Sequence, residues 1–184
     1  MSNYFILGLG NPGEEYRETR HNAGRIVASE IEKRLASPSA DGKKIKFIVP
    51  GEKVMMNQSG KSLVGLIKTK KDAAKLIVIH DDLDLPIGKF KISWNRGTGG
   101  HRGLESILRQ IKTTEFIRFR LGIAPVTPSG KTKKPSGEEK VLKHILGEFK
   151  PLELKIIKNL GKKASEAVET IVGESLAKAM TLFN

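Results

Sequence analysis

Residues 9–24 read LGNPGEEYRETRHNAG, from Leu9 to Gly24, and follow directly on the apolar run Tyr4-Phe5-Ile6-Leu7 that Gly8 closes. A short aromatic and aliphatic run ended by glycine reads as a buried strand rather than a helix. A polar cluster holding Asn11 and His21 immediately beyond it costs folding energy unless those groups do chemistry. In open α/β sheets, ligands gather at the carboxyl ends of such strands. The glycines Gly8, Gly10 and Gly13 also match the G-x-G-x-x-G spacing of a dinucleotide turn, a weak signal by itself. Pro12 precedes the third glycine, and Glu14 and Glu15 follow it where a pyrophosphate would have to lie, so no nucleotide cofactor is expected.

Working outward, apolar runs alternate with helical periodicity, the pattern of an α/β layer architecture. Strands are expected over 4–9, 45–49, 53–56, 76–79, 89–93 and 116–123, and helices over 23–35, 60–67, 103–111, 137–146, 151–172 and 175–182. The long helix places Leu152, Ile156, Leu160, Ala164, Ala167 and Ile171 on one stripe, with Lys155, Lys158, Lys162 and Lys163 opposite. Residues 37–44 and 125–136 read as loops, the second mixing turn residues with lysines. In the 89–93 and 116–123 strands, alternation puts Lys89 and Lys91, and Arg118 and Arg120, on one face of each strand.

Three further polar groups follow apolar segments. Leu76-Ile77-Val78-Ile79, apolar throughout, reads as a central strand that gives way to His80-Asp81-Asp82-Leu83-Asp84-Leu85-Pro86. A hard cation could be held by that His and those Asp, but no second ligand cluster accompanies them, and no metal is expected. Asn57 follows Val54-Met55-Met56, where it could equally cap a helix. The basic, glycine-rich stretch Arg96 to Gly103 leads into a helix; it lacks the Lys-Ser or Lys-Thr of a Walker loop, yet exposed N–H groups at a helix start favour an anion.

The chain has 184 residues, 38% of them hydrophobic, and no cysteine. This fits one domain with a substantial core; neither a disulfide framework nor a membrane segment is expected, and the default location is cytoplasmic. Lys and Arg number 33 against 20 Asp and Glu, a formal net charge of +13. Single lysines are mostly solubilising, but the total attracts polyanions over a Debye length of about 8–10 Å, and nucleic acid is the expected partner.

Taken together and in this order, GLGNPGEEYRETRHNAG, VMMNQSG, HDDLDLP and GTGGHRGLESI resemble the bacterial-type peptidyl-tRNA hydrolases. The resemblance runs on through RFRLGI and more loosely VLKHILGEF. It implies a single α/β domain over residues 1–184, a mixed, mostly parallel twisted sheet flanked by helices, a monomer, and cleavage of the ester joining a peptide to the 3′ end of tRNA. His21 then matches the family's essential histidine and Asp81 its paired carboxylate. Asn11, Tyr16, Asn57 and Arg102 fall at substrate-binding positions, and Lys89, Lys91, Arg118 and Arg120 where cations engage tRNA phosphate.

Those roles agree with the chemistry of the residues. An ester hydrolase without a nucleophilic Ser or Cys motif needs a base for water, and His titrates near neutral pH. An Asp can hold the imidazole tautomer, and an Asn amide can donate to a developing oxyanion. Phosphate contacts give affinity without sequence readout. Arg102 departs from the family, many members of which carry Asn there; a guanidinium donates hydrogen bonds but cannot accept them. The 125–136 loop is longer and more basic than the resemblance leads one to expect. The other reading is an RNA-binding protein on the same fold without catalysis.

Overall fold

Leu76-Ile77-Val78-Ile79 has no polar face, so it must be covered on both sides, and it lies in the middle strand of the sheet. The computed structural model describes residues 3–35 and 45–184. Its strands are β1 (Tyr4–Gly8), β2 (Ile45–Ile48), β3 (Leu76–Pro86), β4 (Phe90–Trp94) and β5 (Ile117–Ala124), in the order β2-β1-β3-β5-β4. β1 is parallel to β2 and β3, β3 is parallel to β5, and β4 closes one edge antiparallel to β5. The mixed, mostly parallel sheet is therefore the one expected.

The helices are α1 (Ala23–Leu35), α2 (Lys70–Ala73), α3 (Arg102–Ile111), α4 (Glu138–Leu146), α5 (Pro151–Gly173) and α6 (Leu176–Phe183). Side chains alternate across the sheet. Ile77, Ile79, Phe119 and Leu121 meet Val27 and Ile31 of α1, Ile157 and Val168 of α5 and Ala179 of α6. Leu7, Leu76 and Val78 meet Leu104 and Ile107 of α3 with Met56 and Leu63. Each such aliphatic side chain, once fully buried, contributes about 1.5–3 kcal/mol. Among the described residues no helix is long and apolar enough to cross a membrane.

The opening stretch fits its place because two glycines remove Cβ atoms. A Cβ on Gly24 would lie 2.2 Å from the Ile79 carbonyl oxygen, and one on Gly8 would lie 2.5 Å from that of Gly24. The start of α1 thus seats directly on β1 and β3, held by Leu9 N–H to Ile79 O at 2.9 Å and Arg25 N–H to Leu9 O at 3.1 Å. His21, in the short 3-10 turn Arg20–Asn22 just before α1, is thereby brought beside β3.

Several expectations need correction. No strand forms over 53–56: an exposed turn closed by Val54 N–H to Gly51 O at 2.9 Å passes into a 3-10 helix, Met56–Leu63, whose Gly60 N–H and Met56 N–H are taken by the side chains of Ser106 and Asn11 rather than by a neighbouring strand. That 3-10 helix also replaces the helix expected over 60–67; Gly60 sits against the α3 backbone, where a Cβ would lie 2.3 Å from Ser106 O, and no ordinary residue would fit. β3 does not end at Ile79 but runs to Pro86, because β5 continues to pair with it after β1 has stopped. Of the stripe expected on α5, Ala164, Ala167 and Ile171 are buried, joined by Ile157, Gly161 and Val168, while Leu152 is 71% exposed. The short α2, capped by Thr69 with Asp72, was not expected, and the loop expected over 37–44 lies outside the described residues.

Candidate active site

At the carboxyl end of the sheet lies a cavity of about 640 Å³, lined among others by Asn11, Tyr16, His21, Asn57, Asp81, His101 and Arg102. Its centre is Asp81, on the part of β3 that extends past β1. His21 Nδ1 lies 3.0 Å from both carboxylate oxygens, and both residues are buried. Burial alone would raise the Asp81 carboxyl, but the charges and hydrogen bonds of His21 and His101 outweigh it and hold the group below the usual carboxylate range. An ionised Asp81 only accepts, so His21 Nδ1 carries the hydrogen and Nε2 keeps its lone pair. Among the described residues Nε2 has no protein partner.

His101, within the glycine-rich stretch Arg96 to Gly103 and without an expected role of its own, completes the cluster. Its Nδ1 accepts from Gly103 N–H at 3.1 Å and Leu104 N–H at 3.4 Å, capping α3. Its Nε2 therefore carries the hydrogen and donates it to Asp81 Oδ1 at 2.9 Å. One carboxylate serves two imidazoles whose rings lie 5.0 Å apart. His21, Asp81 and His101 also bring their ligand atoms within 4.8 Å of one another, close enough for a metal ion. A cation would have to displace the hydrogen that His101 Nε2 gives to Asp81, which its capped Nδ1 cannot take up, so this donor set fits a hydrogen-bonded network better.

His80 was likewise not foreseen. It is fully buried, its Nδ1 bonds the Asp81 carbonyl oxygen at 2.7 Å, and Nε2 has no partner among the described residues. Burial first, then the neighbouring His101, push its pKa down to about 3. It is a neutral wall of the cavity.

Asn11 is fixed from two sides. Its side-chain Oδ1 accepts from Met56 N–H at 2.8 Å, which orients the amide and leaves the Nδ2 hydrogens for a ligand. Its main chain is clamped by Asn22, whose Oδ1 accepts from Asn11 N–H at 2.8 Å and whose Nδ2 donates to Asn11 O at 2.9 Å. Asn22, next to His21, was overlooked because an Asn beside a helix start usually reads as a cap. Asn57 is exposed at the start of the 3-10 helix and Tyr16 is half-buried, both on the cavity wall. Arg102, 61% exposed, reaches Glu138 of α4 at 3.5 Å across the cavity rim.

The four basic residues share a face but not a state. Lys91 stands opposite Arg120 and Ser93 opposite Arg118 in the β4–β5 register. Lys89 is exposed just before β4; neither it nor Lys91 has a carboxylate partner among the described residues. Arg120 Nε bonds Asp82 at 2.6 Å. Arg118 is 3% exposed: it donates to the carbonyls of Gly97, at 2.7 Å, and of Arg96, and stacks over Phe116. Burial, then the charges of Arg120 and Arg96, bring its pKa down to about 10, and its guanidinium tethers the 95–100 loop rather than facing solvent.

The comparisons with known proteins point the same way as this geometry. The family model for peptidyl-tRNA hydrolase matches residues 5–184. A peptidyl-tRNA hydrolase of Thermoanaerobacter sp. is 37% identical over 194 residues, covering 98% of this chain and 99% of its own length. One of Hydrogenobaculum sp. is 36% identical over 189 residues, covering 97% and 96%. The crystal structure of the peptidyl-tRNA hydrolase of Acinetobacter baumannii superposes with a TM-score of 0.79 at 28% identity, covering 99% of this chain and 94% of that one. Agreement in sequence along nearly the whole length, and in fold, means that the chain belongs to the peptidyl-tRNA hydrolase family.

Proposed function

We propose that the cavity hydrolyses the ester joining a peptide, or an N-blocked aminoacyl group, to the 3′ end of tRNA. One observation carries the reading: His21 Nδ1 bonds the ionised Asp81 at 3.0 Å, which keeps Nε2 as the basic nitrogen. Nε2 takes a proton from water as its oxygen attacks the ester carbonyl, and Asp81 stabilises the imidazolium without taking the proton. The Asn11 Nδ2 hydrogens, oriented by Met56 N–H, donate to the oxyanion, a role typically worth about 3 kcal/mol for one donor. The tetrahedral intermediate collapses as His21 returns the proton to the departing 3′ oxygen of the ribose. Tyr16, Asn57 and Arg102 flank the peptide side, and no step calls for a cofactor.

Lys89, Lys91 and Arg120 hold tRNA phosphate in this reading, with Arg118 acting through the loop that it tethers. The protein works as a cytoplasmic monomer on peptidyl-tRNA. Both apolar clusters pack on one sheet, which supports residues 1–184 as one domain. Incubation of the purified protein with an N-acetyl-aminoacyl-tRNA is expected to release the N-acetyl amino acid and intact tRNA. A stable complex with the ester uncleaved would support the non-catalytic RNA-binding alternative instead.

A further inference from the structure

The segment after β5 reads TPSGKTKKPSG over residues 127–137, and nothing in the site chemistry uses it. It is a small hairpin with its own backbone bonds. Val126 and Thr132 form an antiparallel bridge, Thr127 N–H donates to Lys131 O and Lys133 N–H to Pro125 O, each at 2.8 Å. The hairpin is pinned to the cavity rim by Lys134, whose Nζ donates to Asp84 Oδ1 at 2.5 Å. Asp84 N–H in turn bonds Asp82 Oδ1 at 2.8 Å, and Asp82 is the residue that holds Arg120.

One cation of the hairpin, Lys134, and one of the sheet, Arg120, therefore meet on one short stretch of β3. The Asp84 carboxyl is held below its ordinary range first by the Lys134 hydrogen bond, with burial opposing and the charges of Lys134, Arg120 and Arg96 adding to the lowering. Asp82 and Asp84 are occupied by Arg120 and Lys134. Lys131 and Lys133 are left exposed, and among the described residues neither has a carboxylate partner. Unneutralised cations on a pre-ordered hairpin lose little conformational freedom on meeting an anion.

We propose that Lys131 and Lys133 bind backbone phosphates of the tRNA, extending the Lys89, Lys91 and Arg120 surface along the mouth of the cavity. This rests on the reading of the cavity as acting on peptidyl-tRNA. The contact is independent of sequence, and each phosphate neutralised adds close to one unit to the salt dependence of binding.

The test is binding of deacylated full-length tRNA across a salt series, which needs no turnover, by the unaltered protein and by the double variant Lys131→Ala/Lys133→Ala. The slope of log K against log salt is expected to be shallower by about two units in the variant. Lys131→Arg/Lys133→Arg, which keeps both charges, is expected to retain the original slope. A short single-stranded oligonucleotide ending in CCA is expected to lose less affinity than the full tRNA. An unchanged slope, or equal losses on the oligonucleotide and the tRNA, would overturn the proposal. Failure of the unaltered protein to cleave an N-blocked aminoacyl-tRNA that it binds would count against the cavity reading instead, and the two failures are distinguishable.

Discussion

Asp81 is one acceptor group serving two donors, and this makes it the most demanding residue of the site. Replacing it with Asn leaves a single acceptor. His101 cannot change its tautomer, because Gly103 and Leu104 N–H already occupy Nδ1, so it claims the amide oxygen. The amide NH₂ then faces His21 Nδ1, which must accept and place its hydrogen on Nε2. The base is lost although the geometry is preserved. Asp81→Asn is expected to lower kcat about 10²–10⁴-fold with little change in thermal stability, measured by steady-state hydrolysis and a melt. A loss confined to KM would mean that the carboxylate only shapes the cavity. The residues of the site were readable to different depths: Asn11 and Asp81 stand just beyond apolar runs, where polarity is conspicuous, and His21 stands just before the apolar-periodic α1. His101 and Asn22 were not singled out, since their tasks lie in hydrogen bonds to other chain segments, which no local pattern encodes.

At the scale of elements, the extension of β3 beyond β1 decides where the chemistry sits. β1 ends at Gly8, opposite Ile79, and the next residues of β3, still paired to β5, carry His80, Asp81 and Asp82 into the cavity. Burying His80 there has a consequence for stability. Its folded pKa of about 3 lies below the 6.5 of the free side chain, so between those values the unfolded chain binds a proton that the folded chain does not. Asp81, held low when folded, adds to the same trend below its ordinary 3.8. Stability is therefore expected to fall as pH drops from about 6.5 towards 3, with His80 contributing at most about 1.4 kcal/mol per pH unit. Urea unfolding at stepped pH checks this, and His80→Asn is expected to flatten the upper part of the profile; an unchanged profile would refute it. Most strands and helices were readable from periodicity. The 53–67 region departs from expectation because Met56–Leu63 is shaped by its packing on α3, where Gly60 lies against the Ser106 carbonyl, and its buried positions Met56, Ser59, Gly60 and Leu63 hold too few apolar side chains to mark a stripe.

Over the whole molecule, a positively charged surface meets a cavity whose working groups are buried. The formal charge of +13 draws a polyanion. In the proposed mechanism what the cavity does with the bound end depends on His21, 6% exposed, and its buried carboxylate. Composition revealed the partner class, but not that Arg118 is turned inward to the Arg96 and Gly97 carbonyls, because burial depends on where the 95–100 loop folds. In the proposed mechanism binding and cleavage are carried by different residues, and they separate experimentally. The direct measurement is the single-turnover rate of an N-acetyl-aminoacyl-tRNA at saturating protein, with its dissociation constant, for the unaltered protein and His21→Ala. The rate is expected to fall about 10²–10⁴-fold or more with the dissociation constant within a few-fold. A rate that survives the substitution, or one that falls only as far as tRNA affinity falls, would contradict it.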